Sequence, residues 1–278
     1  MGKALVFNDI VVEGPLKQVT FVGEVVPVAI KQYILKLSQP ISKKKVNALV
    51  AFYNALNDAG LWSKIRFLYP MYGSVEDCAH GLVGDDLTIP TGATYDKGLN
   101  LVNATGGKGP KGNGILVGTY SDVDNLTVMS CLGKDVSGVV NSLANTMDRT
   151  STPSDLECMR HHNTATECIY LNYMIETVTG AGLANSCMMQ SITILQSGVS
   201  ATLKNYFNGT LINTYDHTSG GGSTNKGDYR KWWIDGKSTA PSRDGGLTMV
   251  GVFNKALTEE EVSLVYTAVV ALQNVLFA

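Results

Sequence analysis

Charge is scarce in this chain. Of 278 residues, 22 are Lys or Arg and 24 are Asp or Glu, so only 17% are charged, against about 25% in an average globular protein. The formal net charge of −2 excludes the strong basic excess on which bulk nucleic-acid binding depends. A surface so poor in charge must consist largely of uncharged polar side chains or of contacts with other subunits. Long apolar runs are missing as well. Nowhere do the roughly 18 consecutive apolar residues of a membrane-spanning helix occur. The opening residues, from Met1 to Asp9, lack the uninterrupted apolar core of a secretory signal. Cysteine is sparse and odd in number, with Cys78, Cys131, Cys158, Cys168 and Cys187 and no Cys-x-x-Cys pair. Free thiols formed in a reducing compartment are the expectation. Without secretion, the Asn-x-Thr triplets at Asn103, Asn125 and Asn208 imply no glycosylation.

What is present is a β-rich pattern between two helical stretches. Residues 4–12 and 19–28 are rich in Val, Ile and Phe and read as strands. Ile30 to Leu37 is expected to continue them, before a break at Pro40 and the basic run Lys43-Lys44-Lys45. Val46, Leu49, Val50, Tyr53 and Leu56 then recur with helical periodicity, with Ser42 as N-cap and Gly60 as stop. From Leu61 to about Val252, short apolar or β-branched runs alternate with turn-rich stretches, the pattern of a sandwich or jelly roll. Asn208-Gly209 is the strongest hairpin signal, because both residues tolerate the positive φ angles of a type I′ turn. Thr258 and Glu261 form a capping box, and Val262, Val265, Tyr266, Val269 and Leu272 give the following helix one apolar face.

Two stretches carry a resemblance. Leu247 to Val262, with Asn254-Lys255-Ala256-Leu257 ahead of the capped helix, resembles the closing signature of concanavalin A-like, laminin-G-type jelly rolls. Asn205 to Asn213 is similar to that family's aromatic-Asn-Gly hairpin. Leu61 to Gly73, with Trp62, Lys64, Tyr69 and Pro70, resembles the opening of laminin-G-like proteins of tailed bacteriophages, in particular virion proteins of crAss-like phages. The resemblance covers about residues 46–272. It implies a mainly β fold: a β-sandwich jelly roll with a short N-terminal helix and a C-terminal capped helix. It also implies a virion location, with synthesis in the bacterial host cytoplasm. On this basis residues 1–45 are expected to be a β-rich attachment element and residues 46–278 the jelly-roll domain. The expected role is capsid decoration, or a part of a head or tail fibre, through contacts with capsid, portal or tail proteins. Homo-oligomerisation is expected, with no membrane and no direct nucleic-acid contact.

The candidate chemistry is thin. Retaining glucanases of such jelly rolls resemble one another in a Glu-x-Asp-x-x-Glu strand, whose carboxylates converge on one face. Here Glu76-Asp77 and Asp85-Asp86 are adjacent pairs that point to opposite strand faces, and Glu259 to Glu261 are capping charges. The chain is therefore expected not to be an enzyme, with a glucan hydrolase as the remote alternative. No cofactor is expected, with one candidate Ca²⁺ loop at Asp122, Asp124 and Asn125, since family members often bind Ca²⁺ through loop oxygens. A solvated Asx-rich turn explains the same residues. Cys158, His161, His162 and Cys168 lack the spacing of a structural zinc site. The Gly-rich stretch 106–114 fails the phosphate-loop pattern. Tyr229, Arg230, Trp232 and Trp233 offer aromatic faces beside planar polar groups, a candidate carbohydrate-binding surface for a host glycan. The competing reading puts one Trp in the core.

Overall fold

Alternation of apolar and polar residues dictates where strands can lie, and helical periodicity marks out three α-helices among the described residues. The computed structural model describes residues 5–7, 10–12, 19–21, 26–95, 98–101, 113–119, 125–133, 143–149, 155–162, 165–170, 173–179, 187–195, 200–218, 229–236 and 246–278. Strands β1 (Leu5–Phe7), β2 (Ile10–Val12) and β3 (Val19–Phe21) form a small antiparallel sheet. Helices α1 (Val28–Lys36) and α2 (Lys43–Asp58) follow, then β4 (Ile65–Tyr69), β5 (Thr94–Tyr95), β6 (Leu99–Asn100), β7 (Asn113–Thr119) and β8 (Asn125–Leu132). Next come β9 (Leu143–Arg149), β10 (Asp155–His162), β11 (Ala165–Tyr170), β12 (Tyr173–Thr179) and β13 (Cys187–Leu195). The chain continues through β14 (Ser200–Phe207), β15 (Thr210–Thr218), β16 (Tyr229–Gly236) and β17 (Leu247–Phe253) to α3 (Glu259–Leu276).

Two antiparallel sheets carry the body. One runs β12-β11-β10-β9-β16-β7. The other runs β15-β14-β13-β8-β17-β6-β5, with β4 also paired to β17. The two face each other across a core in which Ile115, Val117, Trp232 and Ile234 of the first meet Phe67, Val128, Val250 and Val252 of the second. The second sheet is buried on both faces. On β8, Leu126, Val128 and Leu132 point between the sheets, while Met129 and Cys131 point to the three helices. Two-sided burial explains why β8 and β17 read as near-continuous apolar runs.

The helix layer completes the fold. Ser42 caps α2, its Oγ accepting from Lys45 N–H, and Gly60 takes φ +69° just past the helix end. Thr258 Oγ1 accepts from Glu261 N–H and Glu261 accepts from Thr258 N–H, so the expected capping box on α3 is present. Val262, Val265, Val269, Leu272 and Leu276 are buried beneath α3, each contributing about 1.5–3 kcal/mol. The Asn208-Gly209 turn takes φ +50° and +77°, as a type I′ hairpin needs. A Cβ at Gly209 would lie 2.7 Å from the Tyr266 ring, so this turn also seats the β14–β15 hairpin on α3.

Two expectations are corrected. Ile30 to Leu37 is helical, not extended, because Ile30, Tyr33 and Ile34 recur at helical spacing and bury one face, leaving Leu35 exposed. Val26, Ile30, Tyr33 and Ile34 pack into the same core as α2 and α3. The β1–β3 sheet precedes this layer in the chain. Cys131 and Cys187, directly opposite on β8 and β13, form a disulfide, while Cys78 is free and buried. Cross-strand register, which spacing in sequence does not reveal, brings those two thiols together.

Candidate functional site

The helix layer buries one face of α2 and leaves another open. Along that open face Lys44, Ala48, Ala51, Ala55 and Asp58 recur at alternating steps of four and three residues, the spacing of a coiled-coil seam. The outer face of α3 repeats the pattern with Glu260, Leu264, Thr267, Ala271 and Asn274. Between the two seams lies a groove of about 960 Å³, floored by Phe52, Ala268 and Leu272. Small side chains on both helices keep it shallow and apolar. Leu264, 36% exposed, is a large apolar side chain on its rim.

The groove is electrically polar along its length. Lys45 Nζ donates to Tyr72 Oη at 3.0 Å, and the Tyr72 ring meets Phe277 edge-on at 5.8 Å. The start of α2 thus lies beside the end of α3, and the helices run antiparallel. Glu259 and Glu260 line one end; helical spacing puts exposed Asp58, three residues past Ala55, beyond that end and exposed Lys44, one turn before Ala48, beyond the other. The Glu260 carboxyl is held below the usual carboxylate range by its own backbone N–H and by Thr258, and it stays charged. Lys204 approaches Glu259 at 3.4 Å across an exposed pair. Beneath this acidic end, burial and then the charges of Glu259 and Glu260 push the Tyr206 phenol up to about 12. The arrangement can seat apolar side chains from another helix and read charge at each end.

A buried polar network fixes where α3 begins. Thr127 Oγ1 donates to Lys255 O at 2.9 Å, accepts from Leu257 N–H at 2.8 Å and lies 3.0 Å from Ser191 Oγ. Ser191 in turn donates to Leu257 O at 3.1 Å. At the other end of the layer, Asp77 accepts from Ser38 N–H at 2.6 Å and Ser38 Oγ at 3.0 Å, tying the residues after α1 to the loop after β4. A Cβ at Gly73, whose φ is +104°, would collide with Asp77 Oδ2, so only glycine fits there.

The residues singled out from sequence lie elsewhere. Trp232 is fully buried between the sheets, its ring meeting Phe67 edge-on at 5.9 Å. It belongs to the core and offers no face to a sugar. Tyr229, Arg230 and Trp233 share β16 with it, and their side chains fall outside the described residues, so the backbone alone places them. Asp122 and Asp124 also fall outside, while Asn125 opens β8, exposed and paired with Thr193. Cys158, His161 and His162 lie on β10 and Cys168 on β11, with Met159 opposite Cys168. Among the described residues no three His, Cys, Asp or Glu gather as a metal-binding group, and no helix is long and apolar enough to cross a membrane. The groove itself went unread. Its signal was the pair of four-three repeats, whose alanines score as neither strongly apolar nor polar.

No family model matches the sequence, and no curated protein does. Solved structures do resemble it. A mutant of Trypanosoma rangeli sialidase with trans-sialidase activity aligns at TM-score 0.50 and 12% identity, over 82% of this chain and 39% of the sialidase. Trypanosoma rangeli sialidase itself aligns at TM-score 0.50 and 11% identity, over 80% of this chain and 38% of that one. The binding domain of botulinum neurotoxin serotype D aligns at TM-score 0.45 and 14% identity, over 75% of this chain and 52% of that one. The chain thus spans about two fifths of the sialidases it matches, 39% and 38% of their lengths. These findings contradict the expectation that the chain is not an enzyme, because the first similar structures are sialidases. The likeness is one of fold: a mainly β body of antiparallel sheets.

Proposed function

We propose that this chain is a structural or accessory protein of a tailed-phage particle, working by protein–protein contacts as a capsid decoration or a component of a head or tail fibre. In this reading the two packed sheets are a laminin-G-type, concanavalin A-like jelly roll, and the helix layer is its docking side. The observation that carries it is the open face of α2 and α3, an apolar groove with a lysine at one end and carboxylates at the other. Such a surface matches another helix better than it matches a small polar ligand. The resemblance of residues 46–272 to phage laminin-G-like proteins supplies the particle. Low overall charge fits a protein whose surface is partly covered by neighbours.

Quantitative mass spectrometry of purified particles tests the proposal. The expected result is a fixed stoichiometry per particle, high for decoration and low for a vertex or fibre component. Absence from washed particles refutes it. Deletion of residues 1–24 asks whether the N-terminal segment attaches the protein, since this cut spares the packed Val26 and Ile30. A soluble folded body that no longer enters particles is the expected outcome, and normal incorporation would exclude attachment through that segment.

A further inference from the structure

We propose that the open face of α2 and α3 docks a second copy of this chain, about a two-fold axis that lies in the contact plane and runs across the helices. The inference names the partner of the docking face described above, and it stands or falls separately from membership of a particle. Its basis is the charge pattern together with the seam spacing. A face-to-face pair can have its two-fold axis along the helices or across them. Along them, the acidic ends of both copies meet and repel. Across them, each copy is reversed, and the Lys44 end of one lies over the Asp58, Glu259 and Glu260 end of the other. The groove is self-complementary only in the second arrangement.

Packing agrees with that choice. Reversal about the middle of α3 carries Leu264 of one copy over Ala271 of the other, so each exposed leucine meets a small residue. On α2, Ala51 lies close to the axis between Ala48 and Ala55, and three alanines let the two α2 backbones approach closely. With 16 residues in α2 and 18 in α3, the face is about 25 Å long and ~20 Å wide. That covers ~500 Å² per copy and ~1,000 Å² in total, the size of a weak, reversible contact. The dissociation constant is expected on the order of 10–100 µM.

Sedimentation equilibrium on the full chain from about 1 to about 500 µM reads this directly. A monomer–dimer equilibrium is expected. Lys44→Glu and Asp58→Lys each turn two symmetry-related attractions into repulsions, and each should weaken the dimer about tenfold. The double variant restores both pairs with signs exchanged and should return to within about threefold of the parent. Each reversal puts its new charge at the end of α2 where the helix dipole favours it, so the fold is kept. Should either variant unfold, Ala51→Gln serves instead, an exposed substitution by a good helix former whose bulk blocks close approach. A loss of dimer there supports the proposal. It is overturned by a monomer across the whole range, by single variants that associate like the parent, or by a double variant no stronger than the singles. It is equally overturned if this face is occupied by a different chain while the purified protein stays monomeric.

Discussion

Thr127→Val replaces one side chain by another of the same shape and removes a single hydroxyl. The site is buried, with Thr127 and Ser191 at 0% and 3% exposure. In the parent, that hydroxyl accepts from Leu257 N–H and donates to Lys255 O. In the variant, the Leu257 N–H is buried without an acceptor, which costs about 1–3 kcal/mol. Loss of the hydrogen bond to Lys255 O, which is partly buried, adds about 1 kcal/mol. The sum is about 2–4 kcal/mol of global stability. Because residues 254–258 lead directly into α3, the loss should also loosen the start of that helix and the acidic end of the groove. Urea unfolding followed by circular dichroism measures the first effect, and hydrogen exchange at Val262 N–H, bonded to Thr258 O, measures the second. A change below about 0.5 kcal/mol with unchanged exchange would refute the role given to this network.

Three further outcomes follow from the core. Trp232→Ala should cost about 3–5 kcal/mol by leaving a cavity between the sheets, measured by denaturant midpoint, whereas a stability-neutral result would return Trp232 to the surface. Reducing Cys131–Cys187, which spans 56 residues, frees a large loop in the unfolded chain and should lower stability by about 4 kcal/mol; identical unfolding curves with and without reductant would exclude the bond. At alkaline pH, Tyr33 is held neutral by burial and then by Cys78 and Asp77. Burial, then Asp77, pushes the Cys78 thiol up, and burial takes Tyr95 up to about 12. The unfolded chain gives up its thiol proton near pH ~8.5 and its phenol protons near ~10. Stability should therefore be whole below about pH 8.5 and fall as pH rises through these values. Cys78→Ala should remove the earlier onset and leave the later one, and a Tm constant to about pH 10.5 would contradict the buried cluster.

Much of the frame was legible because local chemistry dictated it. Thr258 and Glu261 satisfy each other's backbone groups, Asn208 and Gly209 accept positive φ, and Ser42 and Gly60 bound α2. Each signal is contained within a few residues. What depended on distant partners was hidden. Ile30 to Leu37 carries apolar residues at Ile30, Ile34 and Leu35 directly after a strand-like stretch, yet burial of Ile30, Tyr33 and Ile34 against the helix layer decides for a helix. The pairing of Cys131 with Cys187 follows from the register of β8 on β13, which no spacing rule contains. Trp232 and Trp233 are adjacent and chemically alike, so only the sheet's orientation could assign Trp232 to the core. The groove residues were hidden for a different reason: Ala48, Ala51 and Ala55 carry little hydrophobic signal, and their seam shows only when α3 lies beside them.

A density map of the intact particle tests the central claim most directly, namely that this two-sheet body with its helix layer works by holding a protein neighbour. The account predicts the body at a fixed position and stoichiometry, with the α2–α3 face covered by protein. A particle lacking the body, or a body whose α2–α3 face stands bare to solvent in every copy, would contradict it.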